Sequence, residues 1–374
     1  MKGKSLILTL LLAGVSLASP LLKIAEACPF KEKIKVGVIL PLSGAVGIAG
    51  QAFREGMQLK QKELGKDSCV YLYFEDSTSD NLAVKTVSAF NSLVNIRHIK
   101  ILVNSIVNTV QPIKVLVERK KIPTFILWDN SRKLANLSPY IWFFGYGVEA
   151  NGEKLARYVR NKLKLTHISI ISLHDDWSEL ISSAFKNEFI KRGGIIDYHF
   201  KVNPDATDLR TEVLKVKSKK SEGLYFPVWG GPVVGILKAV NQLNFNGILI
   251  TSDGVTEQDI NELYPLSEGM IQHQLFLNDE KFVKLVKHYL KKDVTTTRLA
   301  YIATGYDMIS YLQELLLEAA KKGKKPYGDE LNSLIPTVIR TGFTGTTDFS
   351  KGHFTSRVQS VVKVKDKRFH LLEK

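Results

Sequence analysis

From residue 34 onward, short apolar β-branched runs alternate with longer amphipathic stretches. Ile34–Leu40 (IKVGVIL) starts with alternation, becomes a continuous apolar run and is closed by Pro41. That is the pattern of a strand buried along most of its length. A small-residue loop over 43–50 follows, and residues 51–64 carry Phe53, Met57 and Leu64 towards one helical face. The rhythm repeats. Strands are predicted over 71–74, 101–103, 122–127 and 140–144, with helices over 81–94 and 110–120. Alternation of this kind predicts an α/β lobe with a mainly parallel sheet.

At residue 149 the pattern starts again. Helices are predicted over 149–163, 178–192, 209–217 and 233–243, and strands over 167–172, 194–200, 223–227 and 247–251. The run at 270–276 returns the chain to the first lobe, whose helices lie at 280–290 and 298–320. A final strand pair at 358–364 and 368–372 rejoins the second lobe. The predicted fold class is therefore α/β with two doubly wound lobes. Lobe one takes residues 31–146 and 275–343, and lobe two takes 147–274 and 344–374. Ligands of such sheets gather where strand C-termini meet helix N-termini.

The chain has 374 residues, which suits two cores better than one. With 44% hydrophobic and 24% charged residues it reads as globular. Residues 1–27 form an export leader: Lys2 and Lys4, an apolar stretch over 5–18, then Ala25-Glu26-Ala27 as a cleavage site. Expected localisation is the periplasm or the exterior. Cys28 and Cys69 are the two cysteines, each just before one of the first two strands. Those strands start at the same end of a parallel sheet, and an exported chain permits a disulfide between them. Lipid attachment at Cys28 is the alternative, although Ala25 and Glu26 match the usual signal for it poorly. The net charge of +15 comes from lysines scattered over helix faces. A solvated surface is the reading, with no nucleic-acid partner.

Motifs for chemistry are lacking. Gly44, Gly47 and Gly50 are spaced G-x-x-G-x-x-G, not the dinucleotide fingerprint, although Asp76 follows the second strand. No phosphate loop, nucleophile elbow or H-E-x-x-H is present. His174, Asp175 and Asp176 are adjacent and poorly placed to share one metal. The expectation is a protein without cofactor, metal or catalytic activity. Asn108 or Thr109 caps the helix after strand three, Pro112 suits its first turn, and its N–H groups form an anion site.

Several segments together carry a family resemblance. They are V-G-V-I-L-P-L-S-G from Val36 to Gly44, Ser105 to Pro112, Trp177 opening a helix, Thr251-Ser252-Asp253-Gly254-Val255, and Thr341-Gly342-Phe343-Thr344-Gly345 with Phe349 and Gly352. Over residues 34–374 the chain resembles the exported solute-binding proteins of branched-chain amino-acid (Leu/Ile/Val) ABC transporters, the type I periplasmic binding proteins. The resemblance implies two lobes joined by three crossover strands, closing on a small ligand for a membrane ABC permease. A sensing module that signals to a receptor is the alternative use of the same lobes. It also implies that lobe-one loops hold a ligand carboxylate, here through Ser105, Asn108, Thr109, Trp128, Asn130 and Ser131. Asp253 would take the ligand ammonium, and Trp177 and Trp229 would cover the ligand. Trp128 and Asp129 stand where smaller residues are usual and change the size and charge of the pocket.

Overall fold

The computed structural model describes residues 27–44, 46–78 and 82–374. All of the expected leader but Ala27 lies outside the described residues. No helix among them is long and apolar enough to cross a membrane.

The first lobe is built from β1 (Ile34–Leu40), α1 (Gly47–Leu64), β2 (Val70–Asp76), α2 (Leu82–Asn95), β3 (Ile101–Asn104), α3 (Val110–Lys120), β4 (Thr124–Ile126), β5 (Asp129–Asn130), β6 (Ile141–Phe143) and β7 (Tyr146–Gly147). Among the described residues its sheet has five strands in the order β2-β1-β3-β4-β6. All its pairings are parallel. β1 lies inside the sheet between β2 and β3, and its last five residues are buried. The order reverses direction beside β1, and the loops after β1 and β3 flank that switch point.

The second lobe follows with α4 (Val148–Asn161), β8 (His167–Leu173), α5 (Asp176–Lys191), β9 (Ile195–Val202), α6 (Arg210–Ser218), β10 (Gly223–Phe226), α7 (Gly231–Gln242), β11 (Ile248–Thr251), α8 (Glu257–Glu262) and β12 (Ile271–Gln274). The chain then supplies α9 (Glu280–Leu290), α10 (Thr296–Lys321), α11 (Gly328–Leu334) and the hairpin β13 (Arg340–Gly342) and β14 (Gly345–Thr347). It ends in β15 (Ser360–Lys365) and β16 (Arg368–Glu373). The second sheet runs β16-β15-β12-β11-β10-β8-β9, parallel except where β15 meets its neighbours. The two doubly wound lobes meet at three crossovers, after β7, after β12 and before β15.

Each lobe has its own apolar interior. Val36, Val38, Phe53, Phe125 and Tyr311 lie in one, and Leu224, Phe226, Ile236 and Val362 in the other. α10 belongs to the first. It crosses α1 at two glycines: a Cβ on Gly56 would lie 1.8 Å from the Ile302 carbonyl oxygen, and one on Gly305 would lie 2.1 Å from that of Phe53. The backbones approach so closely that no larger residue fits there.

Two boundaries differ from the sequence reading. α1 begins at Gly47, so half of the expected loop is helix. Its first turns bury Gly47, Ala49, Gly50 and Ala52, residues small enough to lie flat on the end of β1. The return to lobe two comes later than residue 344. Phe349 packs among Phe125, Trp142 and Tyr311, and His353 stacks on Trp142 with ring centroids 3.9 Å apart. The segment also continues the first sheet: Phe143 N–H donates to His353 O at 2.7 Å, and Thr355 N–H to Phe143 O at 3.1 Å. Burial of Phe349, the His353 stack and these hydrogen bonds hold residues 349–357 on lobe one.

Cys28 and Cys69 form a disulfide with Cα atoms 5.1 Å apart. The register brings them together, because Ile34 lies opposite Val70 and its N–H donates to Cys69 O at 2.8 Å.

Candidate functional site at the lobe interface

A cavity of about 60 Å³ lies between the lobes at the C-terminal ends of both sheets. Lobe one contributes Val46, Ile106, Asn108, Trp128 and Asp129, and lobe two contributes Trp177, Trp229, Asp253 and Gly254. The loop after β4 delivers Trp128 and Asp129. It is held by the short β5–β7 pairing, in which Asp129 lies opposite Tyr146. Gly145 makes that pairing possible, since a Cβ there would lie 2.2 Å from the Trp128 carbonyl carbon. Trp128 sits edge-on to Phe53 and to Tyr301, at centroid distances of 5.3 and 5.4 Å. Those contacts fix its ring at the cleft.

Asp129 is 6% exposed. Its Oδ1 accepts the Val107 N–H at 2.8 Å, at the turn that precedes α3. Burial pushes its carboxyl well above the usual range, the Val107 hydrogen bond opposes that shift, and the charge of Asp253 adds to it.

Lobe two holds the Trp229 indole through one acid. Asp175 caps α5, with Oδ1 accepting the Ser178 N–H at 2.7 Å, and its Oδ2 accepts the Trp229 Nε1–H at 3.1 Å. Burial raises the Asp175 carboxyl despite these bonds and one from Asn108. Asn108 therefore reaches across the cleft. Its Oδ1 also accepts the Trp177 N–H at 2.9 Å, which latches lobe one to the start of α5.

Asp253 follows β11 and is 7% exposed. Its Oδ2 accepts Gln359 Nε2–H at 2.6 Å, whereas its Oδ1 has no hydrogen-bond partner. Gln359 belongs to the third crossover. It is held in turn by a short bond from His273 Nδ1, by Lys154 Nζ donating to its carbonyl at 2.8 Å, and by Asn151 Oδ1 accepting its N–H at 2.9 Å. Burial lowers the His273 pKa, so this imidazole is neutral at physiological pH and offers Asp253 no full counter-charge. Asp253 lines the cavity, and its Oδ1 is a desolvated acceptor 3.8 Å from His273 Nδ1.

A family profile described as periplasmic binding protein matches residues 33–368. The chain belongs to this family. Among curated relatives of this periplasmic binding protein is the Leu/Ile/Val-binding protein homolog 6 of Brucella melitensis, 21% identical over 256 residues. That match spans 66% of this chain and 65% of the relative's length. Solved structures share the fold. The leucine-binding protein LivK of Thermotoga maritima superposes with a TM-score of 0.77 at 19% identity, covering 91% of this chain and 97% of that one. A solute-binding protein of an ABC transporter from R. palustris, in complex with 4-hydroxybenzoate, gives 0.80 at 18% identity, covering 92% and 96%. LivJ of Streptococcus pneumoniae, in complex with isoleucine, gives 0.76 at 17%, covering 92% and 100%.

Of the residues singled out in the sequence, the structure gathers Asn108, Trp128, Trp177, Trp229 and Asp253 around the cavity of this binding protein. Four others are not in its lining, and three of them have their polar groups committed to the protein. Thr109 Oγ1 donates to Ile106 O and accepts from Asn104 Nδ2. Asn130 Nδ2 donates to Gly145 O and Thr355 O, both at 2.9 Å, and so pins the third crossover. Ser131 Oγ donates to Glu149 Oε1 at 2.8 Å. Ser105 is fully buried and its hydroxyl has no partner. Val46, Ile106 and Gly254 line the cavity without having been singled out. Apolar residues and glycine carry no chemical signal in a sequence, and only the position of their loops identifies them.

Proposed function

We propose that this protein is an exported, non-enzymatic solute-binding protein. It captures a small polar ligand bearing an ammonium group between its lobes and presents the closed form to an ABC permease. The observation that carries this reading is a cavity that both lobes complete, with the Asp253 carboxyl and three indoles in its lining. Closure removes water from the carboxylate and strengthens its pairing with a ligand cation. The amino-acid ligands named for LivJ and LivK relatives agree with a ligand of this size and polarity. Use of Cys28 in a disulfide favours a freely diffusing periplasmic protein over a lipid-anchored one.

The test is a thermal-shift screen of the purified exported protein against the common amino acids, small amines and small carboxylates. A ligand that binds only the folded state raises the melting temperature. The expected result is a shift with an ammonium-bearing compound that Asp253→Ala abolishes, a loss on the order of 2 kcal/mol of affinity. Absence of any shift across the screen would overturn the proposal.

A further inference from the structure

The parallel pairing of β3 with β4, in which Leu102 lies opposite Thr124, brings two helix-to-strand loops side by side. The loop from α2 to β3 carries His98, Ile99 and Lys100. The loop from α3 to β4 carries Lys121 and Ile122, next to Lys120 at the helix end. Both precede their strands, so they lie at the end of the first sheet remote from the cleft. In each loop the isoleucine is buried and the basic residues stay exposed. A cavity of about 200 Å³ lies here, lined by the two isoleucines, by Lys100, Lys120, Lys121 and His98, and by Tyr327 just ahead of α11.

No acid is part of that lining. Asp329 neutralises one lysine from outside it: its Oδ2 lies 2.5 Å from Lys121 Nζ, and its Oδ1 accepts the Tyr140 hydroxyl. Lys100 and Lys120 form no ion pair among the described residues. Lys100 Nζ stands 5.2 Å from the centroid of the Tyr327 ring, a cation–π contact that holds the ammonium at the cavity. Lysines at helix ends also answer the macrodipole, and α2 and α3 both end beside this cavity. Each C-terminus is equivalent to roughly −0.5 elementary charge, so the pair offsets about one of the two unpaired ammonium charges and leaves the other. The cavity therefore keeps a net positive charge and favours anions. A phosphate monoester, with a charge of about −1.5 to −2 near neutral pH, answers two lysines better than a single carboxylate does. Ammonium groups bind phosphate as point charges, without the planar geometry that arginine imposes.

We propose that this cavity is a second ligand site, separate from the cleft, and that it binds a phosphate-bearing anion. Lys100 and Lys120 pair with the phosphate oxygens, and Tyr327 keeps Lys100 in position. The phosphate belongs either to a small soluble ester or to the headgroup of an anionic lipid, and both offer the same group to the lysines.

The test is isothermal titration of the purified exported protein with inorganic pyrophosphate, beside sedimentation with vesicles of phosphatidylglycerol and phosphatidylcholine or of phosphatidylcholine alone. The expected result is saturable binding of pyrophosphate, or of the phosphatidylglycerol vesicles only, that weakens about fivefold or more as salt rises from about 20 mM to about 200 mM. The double change Lys100→Gln with Lys120→Gln should weaken it about tenfold or more. Lys191→Gln with Lys238→Gln, two exposed lysines of lobe two, removes the same charge elsewhere and should weaken it no more than about twofold. Binding of pyrophosphate assigns the site to a soluble ester, and binding of the vesicles alone assigns it to a lipid headgroup. Absence of both would overturn the proposal. Equal losses from the two double variants would overturn it too, because the surface charge as a whole would then be responsible. Should the Lys100 and Lys120 variant lose its cooperative thermal transition, the wild-type titrations decide alone, and binding indifferent to salt would overturn the lysine assignment.

Discussion

Asp129 shows how one residue couples the cleft to stability. Its carboxyl is buried, and it faces Asp253 and Glu149 in addition to the Val107 N–H. An unfolded aspartate titrates near pH 3.9, and in the fold burial pushes Asp129 well above that. Between the two values the native protein keeps a proton that the unfolded chain has released. The stability this group contributes is therefore complete below the unfolded value and is lost as pH rises through the folded one. Asparagine cannot titrate and still accepts the Val107 hydrogen bond. For the empty protein, the melting temperature of Asp129→Asn minus that of wild type should grow from about pH 4 to about pH 8. A difference that stays constant would show that the Asp129 carboxyl does not carry the effect. The sequence marked Asp129 as a departure in size and charge, yet it did not show that the acid binds a backbone N–H. Asn130 and Ser131 illustrate the same limit: residue type suggested ligand contact, and the partners across the fold are Thr355 and Glu149.

At the scale of elements, the parallel pairing of β1 and β2 explains the cysteines. Both strands start at one edge, so the residues before them are neighbours although 41 positions apart in the chain. Closing a loop of that length stabilises the fold by about 2–4 kcal/mol, chiefly by restricting the unfolded chain. Denatured, unreduced protein should show no free thiol. The double change Cys28→Ser with Cys69→Ser should lower the unfolding free energy by that amount in a denaturant titration. Two reactive thiols in the first assay would remove the bond. Strand starts were legible because β-branched runs end abruptly at Pro, Gly and polar residues. The early start of α1 was not, since Gly47 and Gly50 lower helix propensity and only packing against the end of β1 repays the loss.

For the whole molecule, closure is set by contacts that cross the cleft. Asn108 is the clearest, with its Oδ1 on the Trp177 N–H at the start of α5. Its loss removes a net contribution of about 1 kcal/mol from the closed form. Asn108→Ala should therefore enlarge the radius of gyration of the empty protein in small-angle scattering and weaken ligand binding about fivefold. Scattering curves identical to wild type would show that the latch does not hold the lobes. Asp253 extends the same coupling to the third crossover, because Gln359 anchors its second oxygen. Rearrangement at Asp253 is thus felt at a segment shared by both lobes.

The sequence by itself determined the alternation of strands and helices, the division into two α/β lobes and the loops in which Asn108, Trp177, Trp229 and Asp253 reside. Local periodicity and strand-end glycines encode these features, and they survive small errors in boundaries. Tertiary structure alone decided which polar groups remained free. Hydrogen bonds between residues as distant as Asn130 and Thr355, or Asp253 and Gln359, consume some side chains and leave others open. The third crossover was likewise decided by burial of Phe349 and stacking of His353 against lobe one. Partners remote in sequence leave no periodic trace, so the chemistry of the cleft emerged only when the two lobes were brought together.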